Sequence, residues 1–349
     1  MRLSIVILNW NGSHLLRRFL PSVKKYSDYA WVEIIVADNN SDDESAKIVE
    51  QEFPGVKFLR LNRNYGFAEG YNQALMSNDA EYILLLNSDV EVTENWLLPM
   101  LKLMDSDPLI AICQPKIVQV DPPGKFEYAG ASGGFIDHYG YPFCRGRILN
   151  FQENDFGQYD QTISVFWASG AALLIRGKIW HESGGFDPDF WAHMEEIDLC
   201  WRVKNRGYKV VVCPQSKIYH LGGGTLSYGS PLKIYLNFRN NLFLLYKNLP
   251  KGQLQKTLLC RMAFDGVAAL QFLLTGQFKA FAKVLAAHRD FYKSFWKLRW
   301  KRKALLMKTT KTNHPEIYKG SIIFDFFILR KRTFSSLNFP TNEIKNPIK

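Results

Sequence analysis

The feature that most constrains this fold is a regular alternation of apolar runs and helical segments over the first 90 residues. Four predominantly apolar segments of strand length occupy residues 3–8, 32–37, 56–61 and 82–86, although the third includes Lys57 and Arg60. The segments between them, 13–26, 41–53 and 67–76, have helical apolar spacing. Unbroken apolar strands separated by helices are typical of a parallel sheet covered on both faces. We therefore predict an α/β fold with a mostly parallel central sheet flanked by helices.

The sequence beyond residue 105 is less regular. We predict strands at 110–118, 165–175 and 208–213, and helices at 96–104 and 195–205. Residues 121–160 are rich in glycine, proline and aromatic side chains, and we predict that they form long surface loops.

The charge distribution divides the chain into three regions. Residues 1–234 hold 22 Lys and Arg against 28 Asp and Glu, residues 235–311 hold 16 against 2, and residues 312–349 hold 6 against 3. We predict a slightly acidic globular domain over 1–234, a basic helical appendage over 235–311 and a tail over 312–349. Because the excess of positive charge is confined to one region, we expect that region to have its own partner. The apolar content of 47% excludes a disordered chain.

Cysteine usage and hydropathy indicate a reducing compartment and no membrane span. The five cysteines are widely spaced without a C-x-x-C pair, so we predict buried free thiols in the cytosol. The short apolar N-terminus is interpreted as a buried strand rather than a signal peptide. The apolar segment 266–288 is interrupted by two glutamines and two lysines, so we predict an amphipathic segment rather than a membrane span.

Small polar residues follow all four predicted strands. They are Asn9 and Asn11, then Asp38, then Asn64, and finally Asn87, Ser88 and Asp89. In parallel α/β sheets, ligands bind at the carboxyl ends of the strands. Each of these residues is also an ordinary turn residue, but four in succession favour a polar ligand cleft at this edge.

Three of these positions suggest particular chemistry. The carboxylate of Asp38 can accept a hydrogen bond from a nucleobase N–H, or it can cap the following helix. Gly66 and Gly70 open a helix whose N-terminus favours an anion such as a phosphate, although a tight turn explains them equally well. Asp89 can supply one oxygen ligand to a hard cation bound to a diphosphate.

The densest acidic cluster of the chain lies at the start of the predicted helix 195–205. Glu195, Asp198 and Arg202 share one helix face, and we predict a structural ion pair between Asp198 and Arg202. Glu196 points about 100° away from that face. The two adjacent glutamates complement the helix dipole, or one raises the pKa of the other and so makes it a general base near neutral pH. His220 lies beyond the last predicted strand and is either a metal or phosphate ligand or a structural residue.

Taken in order, these motifs resemble family 2 of the inverting glycosyltransferases, which have the GT-A fold, and in particular its bacterial rhamnosyltransferase-like members. The resemblance covers about residues 1–245. It is carried by VILNWNG at 6–12, VADNNSDD at 36–43, NYGFAEGYN at 64–72, LLLNSD at 84–89, ASGAALLIR at 168–176, GGFDPDFWAHMEEIDLCWR at 184–202 and YHLGGGT at 219–225.

The resemblance implies a role for each matching residue. The implied donor-binding residues are Asn9, Asn11, Asp38, Asn64, Gly66, Gly70, Asn87 and Ser88, with Asp38 at the nucleobase. Asp89 and His220 are implied to bind a divalent cation, Mg²⁺ or Mn²⁺. Glu196 is the implied catalytic base with Glu195 as its neighbour, and Gly170 and Trp191 are implied on the acceptor side.

Two departures from the family pattern are present. The metal-binding D-x-D is reduced to the single carboxylate of Asp89, because an asparagine occupies position 87. The acidic E-D pair is Glu195-Glu196, so the implied base is one methylene longer.

The resemblance implies a metal-dependent enzyme that transfers a sugar from a nucleotide-diphosphate sugar to a hydroxyl of a glycan, with inversion. The nearest members suggest dTDP-rhamnose as donor and a lipid-linked acceptor in bacterial cell-surface polysaccharide synthesis. The basic and aromatic segment 288–308 favours peripheral association with the inner face of the cell membrane over nucleic-acid binding. A helical appendage packed on the catalytic domain, or a homodimer contact, stays open. Three other functions also stay open: a nucleotidyltransferase, a non-catalytic nucleotide- or sugar-binding module, and a basic nucleic-acid-binding protein.

Overall fold

A computed structural model describes residues 1–222 and 229–344. The strands are β1 (Leu3–Asn9), β2 (Val32–Asp38), β3 (Lys57–Arg60), β4 (Tyr82–Asn87), β5 (Val90–Val92), β6 (Ile110–Gln119), β7 (Gly134–Asp137), β8 (Pro142–Cys144), β9 (Arg147–Ile148), β10 (Phe151–Gln152), β11 (Ile163–Ser164), β12 (Ala172–Arg176), β13 (Lys209–His220) and β14 (Ile317–Tyr318).

The helices surround these strands and fill most of the C-terminal third. They are α1 (Ser13–Tyr26), α2 (Ser45–Glu52), α3 (Gly66–Ala74), α4 (Leu97–Ser106), α5 (Gly177–Ser183), α6 (Glu195–Asn205), α7 (Pro231–Asn248), α8 (Lys251–Leu274), α9 (Phe278–Lys293), α10 (Phe295–Met307) and α11 (Ile322–Phe327). Short 3₁₀ turns lie at Pro188–Phe190 and Ser335–Leu337.

The central sheet confirms the predicted fold class. Its strand order is β11-β13-β6-β12-β4-β1-β2-β3, and β5 pairs with β13. The pairs β4–β1, β1–β2 and β2–β3 are parallel, whereas β12 runs antiparallel between β4 and β6. The register places Asn9 beside Asp38 and Leu8 beside Asn87. The polar residues that follow β1, β2 and β4 therefore meet at one edge, because parallel strands all end on the same side.

The prediction of surface loops over 121–160 is wrong. Much of this segment folds into a second sheet of order β10-β9-β8-β7-β14, which also takes a strand from the C-terminal tail. Phe126, Phe135, Phe143 and Ile148 are buried in it. Strands of two to four residues are too short to show an alternating pattern, and the glycines that suggested loops form the turns between them.

The predicted strand at 165–175 is also only partly correct. The chain forms β11 just before this segment and β12 near its end, and the residues between them run irregularly through the core. The predicted free cysteines are confirmed, and all but the partly exposed Cys260 are buried.

The basic C-terminal helices pack on the acidic part of the globular domain. Lys247 of α7 lies 2.9 Å from Asp198, and Asp198 forms the predicted ion pair with Arg202 at 2.8 Å. Lys301 of α10 lies 2.7 Å from Asp189. Part of the positive charge is therefore neutralised inside the molecule, as the packed-appendage alternative requires.

The segment 266–288 is not one continuous helix. It is divided between α8 and α9 by a turn that begins at Thr275. By length and composition alone, α8 is long and apolar enough to cross a membrane, and most of the apolar stretch is not buried inside the protein. The sequence analysis predicted that no segment was long and apolar enough to cross a membrane, so α8 differs from that prediction.

Candidate active site

The ends of β1 and β2 are joined by a buried hydrogen-bond network around Asp38. The Asp38 carboxylate accepts from Asn9 Nδ2 at 3.1 Å, from the Ser41 hydroxyl at 2.6 Å and from the Ser41 amide at 2.9 Å. Asn11 Oδ1 accepts from the backbone N–H of Asp42 at 2.9 Å. Asn9 and Asp38 thus hold this turn together, but Asp38 does not cap α2, whose N-cap is Glu44. A nucleobase N–H that donates to the Asp38 carboxylate would bind beside the two hydrogen bonds that this carboxylate accepts from Ser41.

The loop before α3 is attached to the same edge by Asn39. Its Nδ2 donates to Asn64 Oδ1 at 3.0 Å and to the Gly66 carbonyl at 2.9 Å. Gly66 has φ +77°, and a Cβ placed there would lie 2.5 Å from Trp191 Nε1. Glycine is required at this position both by the left-handed backbone and by the contact with the indole.

The first amides of α3 are not free to bind an anion. Phe67 and Ala68 both donate their N–H groups to the Trp191 carbonyl at 3.0 Å, and the two preceding amides donate to side-chain oxygens of the loop. A Cβ at Gly70 would lie 2.9 Å from Leu8, so this glycine allows α3 to pack closely on β1. The expectation of a phosphate at this helix terminus is therefore corrected.

Asp89, at the turn between β4 and β5, belongs to a buried charged triad. His220 Nε2 lies 3.0 Å from Asp89 Oδ1, and His220 Nδ1 lies 3.4 Å from Glu127 Oε1. Burial lowers the pKa of His220, but the two carboxylates outweigh it and raise the pKa to about 10. Burial opposes ionisation of Asp89 as well, yet the imidazolium keeps its pKa below the ordinary value. Glu127 lies in the segment predicted as loops, and no sequence pattern marked it.

The spacing between Asp89 Oδ1 and His220 Nε2 also suits two ligands of one cation, but the cation would have to displace the proton between them, because only a neutral imidazole binds a metal. Two ligands at right angles on Mg²⁺ or Mn²⁺, each about 2.1 Å away, are about 3 Å apart. The side chain of Asn87, in the same turn as Ser88, lies 3.4 Å from His220 Nε2. Within residues 1–222 and 229–344, no group of three His, Cys, Asp or Glu is arranged around a metal position. The residues that follow His220 in the motif, 223–225, lie outside the described residues.

Glu195 and Glu196 begin α6 and carry the most perturbed carboxyl groups of the site. Burial raises the pKa of Glu196 to about 7. Burial also raises the pKa of Glu195, and the charge of Glu196 raises it further. Each side chain has one buried oxygen, Oε2, with no hydrogen-bond partner in the described part of the chain. The pKa of Glu196 is thus raised as predicted, but its cause is burial rather than the neighbouring charge.

Gly170 and Tyr71 connect the glutamates to the rest of the cleft. A Cβ on Gly170 would lie 3.6 Å from the Phe67 ring and 4.0 Å from Glu196 Cβ, so Gly170 lies beside both residues. Tyr71 is buried and donates its hydroxyl to the Leu86 carbonyl at 3.0 Å. Burial raises the pKa of Tyr71, and the charges of Asp89 and Glu195 add to the effect. Asp89 and Glu195, which belong to the two ends of the predicted site, therefore both lie near Tyr71. The sequence analysis did not single out Tyr71.

The loop that carries Trp191 is held by Asn240 of α7. Asn240 Nδ2 donates to the carbonyls of Phe190 at 2.9 Å, Ala192 at 2.8 Å and His193 at 2.7 Å. Trp191 and His193 have φ values of 63° and 68°, which are unfavourable for residues other than glycine. A buried side chain of the appendage thus determines the path of the chain that leads into Glu195 and Glu196. No motif indicated this contact.

Comparisons with known proteins support this description. The glycosyl transferase family 2 model matches residues 4–170, which include Asp38 and Asp89 but end before Glu196. O-antigen biosynthesis protein RfbC of Myxococcus xanthus is 26% identical over 231 residues, or 63% of this chain, but this chain spans 17% of that protein. N-acetylglucosaminyl-diphospho-decaprenol L-rhamnosyltransferase of Mycobacterium tuberculosis is 24% identical over 233 residues, 62% of this chain and 75% of that protein.

The fold is also similar to that of a solved glycosyltransferase. The crystal structure of GalNAc-T7 with UDP, GalNAc and Mn²⁺ matches with a TM-score of 0.57 and 19% identity, over 70% of this chain and 48% of the other. Together, these matches confirm the resemblance and the fold class that the ordered motifs predicted.

Proposed function

We propose that this chain, whose residues 4–170 match the glycosyl transferase family 2 model and whose fold is similar to that of a solved glycosyltransferase, transfers a sugar with inversion from a nucleotide-diphosphate sugar to a glycan hydroxyl. The observation that carries this proposal is Glu196. Its carboxyl group has a pKa of about 7 and a buried oxygen with no hydrogen-bond partner in the described part of the chain. These are the properties of a general base that works near neutral pH.

The reaction is a single displacement in which Glu196 accepts the proton of the acceptor hydroxyl. The acceptor oxygen forms a bond to the anomeric carbon as the bond to the nucleoside diphosphate breaks on the opposite face. Gly170 and Trp191 border the acceptor, and Asn64 and Gly66 lie on the donor side. A divalent cation held by Asp89 and His220 would offset negative charge on the leaving diphosphate. The loop held by Asn240 keeps Glu196 in line with the donor.

The donor sugar and acceptor are proposed from the relatives. One relative is named as a rhamnosyltransferase that acts on a diphospho-decaprenol-linked sugar, and another as an O-antigen biosynthesis protein. We propose dTDP-rhamnose as the donor and a lipid-linked glycan as the acceptor, in the synthesis of a bacterial cell-surface polysaccharide.

The direct test is a panel of nucleotide sugars incubated with the protein, Mg²⁺ or Mn²⁺ and candidate glycan acceptors, in which release of nucleoside diphosphate is measured. We expect release that depends on the acceptor with one donor of the panel, and a product of inverted anomeric configuration by NMR. Tight donor binding without turnover for any pair would instead identify a non-catalytic sugar-binding module.

The pH dependence of the reaction is expected to report Glu196. A base with a raised pKa is protonated, and therefore inactive, over a wider range of acidic pH than an ordinary glutamate. We expect kcat/KM to fall below a midpoint near pH 7, and to rise toward a plateau above it. A profile that stays flat down to pH 5 would show that Glu196 does not act as the base.

Removal of the metal is expected to abolish transfer. We expect that EDTA stops nucleotide release and that added Mn²⁺ or Mg²⁺ restores it. Asp89→Asn should raise the Mn²⁺ concentration needed for half-maximal activity by about tenfold or more, because a neutral amide is a weaker ligand. Glu91→Gln, in the adjacent strand with an exposed side chain, is the matched control. Full activity of wild type in EDTA would contradict the metal role.

Membrane association of the basic region is part of the proposed function. Trp296 and Trp300 of α10 are largely exposed and lie among lysines and arginines, as in helices that bind anionic headgroups. We propose that the protein binds peripherally to the cytoplasmic face of the membrane, where a lipid-linked acceptor would be accessible. Flotation with anionic liposomes at moderate salt tests this proposal.

A further inference from the structure

Helix α8 buries a charged pair while it exposes several large apolar residues. The buried residues, spaced four apart, are Thr257, Arg261, Asp265 and Ala269. Large apolar residues point outward, at relative exposures of 69% for Leu259, 68% for Val267, 52% for Leu270 and 77% for Leu274. A surface helix in water normally buries its apolar stripe and exposes its charges. The outward face of α8 is therefore suited to an apolar environment.

The orientation of α8 is determined by contacts on its inner face. Arg261 Nε donates to Asp265 Oδ1 at 2.8 Å, and His288 of α9 lies 3.1 Å from Asp265 Oδ2. The Arg261 guanidinium stacks 4.0 Å from the ring centroid of Tyr141, in the turn between β7 and β8. Rotating the helix to bury its leucines would expose this network and break its ion pairs, since both charged partners are buried.

The charged residues on either side of the exposed apolar face of α8 indicate what kind of partner binds it. Between Lys256 and Lys279 the sequence has no charged residue except the buried pair Arg261 and Asp265. Lys251 and Lys256 are exposed in the first turns of α8, and Lys279 is exposed at the start of α9. An apolar face bounded by lysines matches the acyl region and the anionic headgroups of a bilayer. A second copy of this chain would instead bring together two regions with an excess of 14 positive charges each.

We infer that the outward face of α8 lies in the bilayer and that the helix axis is parallel to the membrane plane. Its inner face packs on α7, α9 and the Tyr141 turn, so lipid cannot surround the helix as it surrounds a membrane span. The 18 residues from Thr257 to Leu274 form a strip about 27 Å long. This inference rests on the proposed membrane association and makes α8, rather than the 288–308 segment alone, the surface that enters the lipid.

Flotation with vesicles of phosphatidylglycerol and phosphatidylcholine tests the assignment on the full chain. We expect Val267→Ser/Leu270→Ser to weaken vesicle binding by about tenfold or more, because two apolar side chains lose their burial in lipid. The matched control is Leu109→Ser/Phe156→Ser, which removes two exposed apolar side chains from the globular domain and should bind like wild type.

The outcomes separate the inference from the proposal on which it rests. If wild type does not float, membrane association itself is wrong. If wild type and the α8 variant float equally, the protein binds membranes but α8 does not enter them. If the α8 variant is monomeric in light scattering whereas wild type is a dimer, a second copy covers this face and the inference is overturned.

A fluorescent probe provides a measurement that does not depend on a destabilising variant. Leu270→Cys in a Cys260→Ser background can be labelled with NBD, because the other four cysteines are buried. We expect a blue shift and a several-fold rise in emission on addition of vesicles, and quenching by lipids spin-labelled in the acyl chain. Emission that does not change when wild-type protein floats would exclude contact between α8 and lipid.

Discussion

Replacement of Glu196 by glutamine is expected to reduce sugar transfer by about 10²- to 10⁴-fold, the usual contribution of a positioned general base. The amide has nearly the same size as the acid but cannot accept the acceptor proton. Donor affinity should change little, because the lost interaction is made with the proton of the acceptor. Single-turnover transfer and calorimetric titration with the nucleotide sugar measure these two quantities separately.

Glu195→Gln is the matched control for this substitution. Burial and the nearby negative charge of Glu196 raise the pKa of Glu195 well above its usual range, which favours the protonated form of its side chain. A glutamine resembles a protonated glutamate, and we expect a loss of less than about tenfold. Wild-type turnover by Glu196→Gln with a competent donor and acceptor would overturn the assignment of the base.

The second large effect is expected at Asn240, which is remote from the substrate. Asn240→Ala removes the donor to three loop carbonyls and leaves these acceptors unsatisfied in a buried place. The loop would then relax from its left-handed conformation at Trp191 and displace Glu196. Because a displacement of about 1 Å can cost 10²-fold in rate, we expect kcat to fall by about that factor, with a smaller change in the donor KM.

The neighbouring Asn241 distinguishes positioning from stability. It is equally buried on α7 but donates to the Gly140 carbonyl at 2.6 Å, in the turn between β7 and β8. Asn240→Ala and Asn241→Ala should each lower the free energy of unfolding by about 1–3 kcal/mol. Only Asn240→Ala should lower kcat per folded molecule. Equal losses of kcat in both variants would indicate general destabilisation rather than a positioning role.

The strands, helices and ordered motifs of the first 90 residues were predictable because their signals are local. The strands β1, β2 and β4 are mostly buried apolar runs, and the helices between the strands have the 3.6-residue period of a buried stripe. The ion pair between Asp198 and Arg202 was predictable for the same reason, since two residues four apart on a helix are adjacent.

The second sheet and the environment of the charged groups were not predictable in this way. Glu127 meets His220 across 93 positions of sequence, and Asn240 reaches Ala192 across 48. Contacts of this kind depend on how separate elements pack, and a single sequence has no periodicity that records them. The raised pKa of Glu196 was anticipated, but its origin in burial was not, because burial is a property of the folded chain.

The sequence by itself determined the parallel sheet, its polar edge and the family that the ordered motifs resemble. These depend on which residues follow one another, and the backbone of parallel strands then brings their ends together. Only the tertiary structure decided which polar residues support the turn, as Asp38 does, and which stay unpartnered, as Glu196 Oε2 does. It also decided that α8 turns Arg261 and Asp265 inward and Leu259, Leu270 and Leu274 outward. Whether a polar side chain is hydrogen-bonded and which side of a helix is buried both depend on the neighbours that packing brings close. The same residue types could be partnered or unpartnered, and buried or exposed.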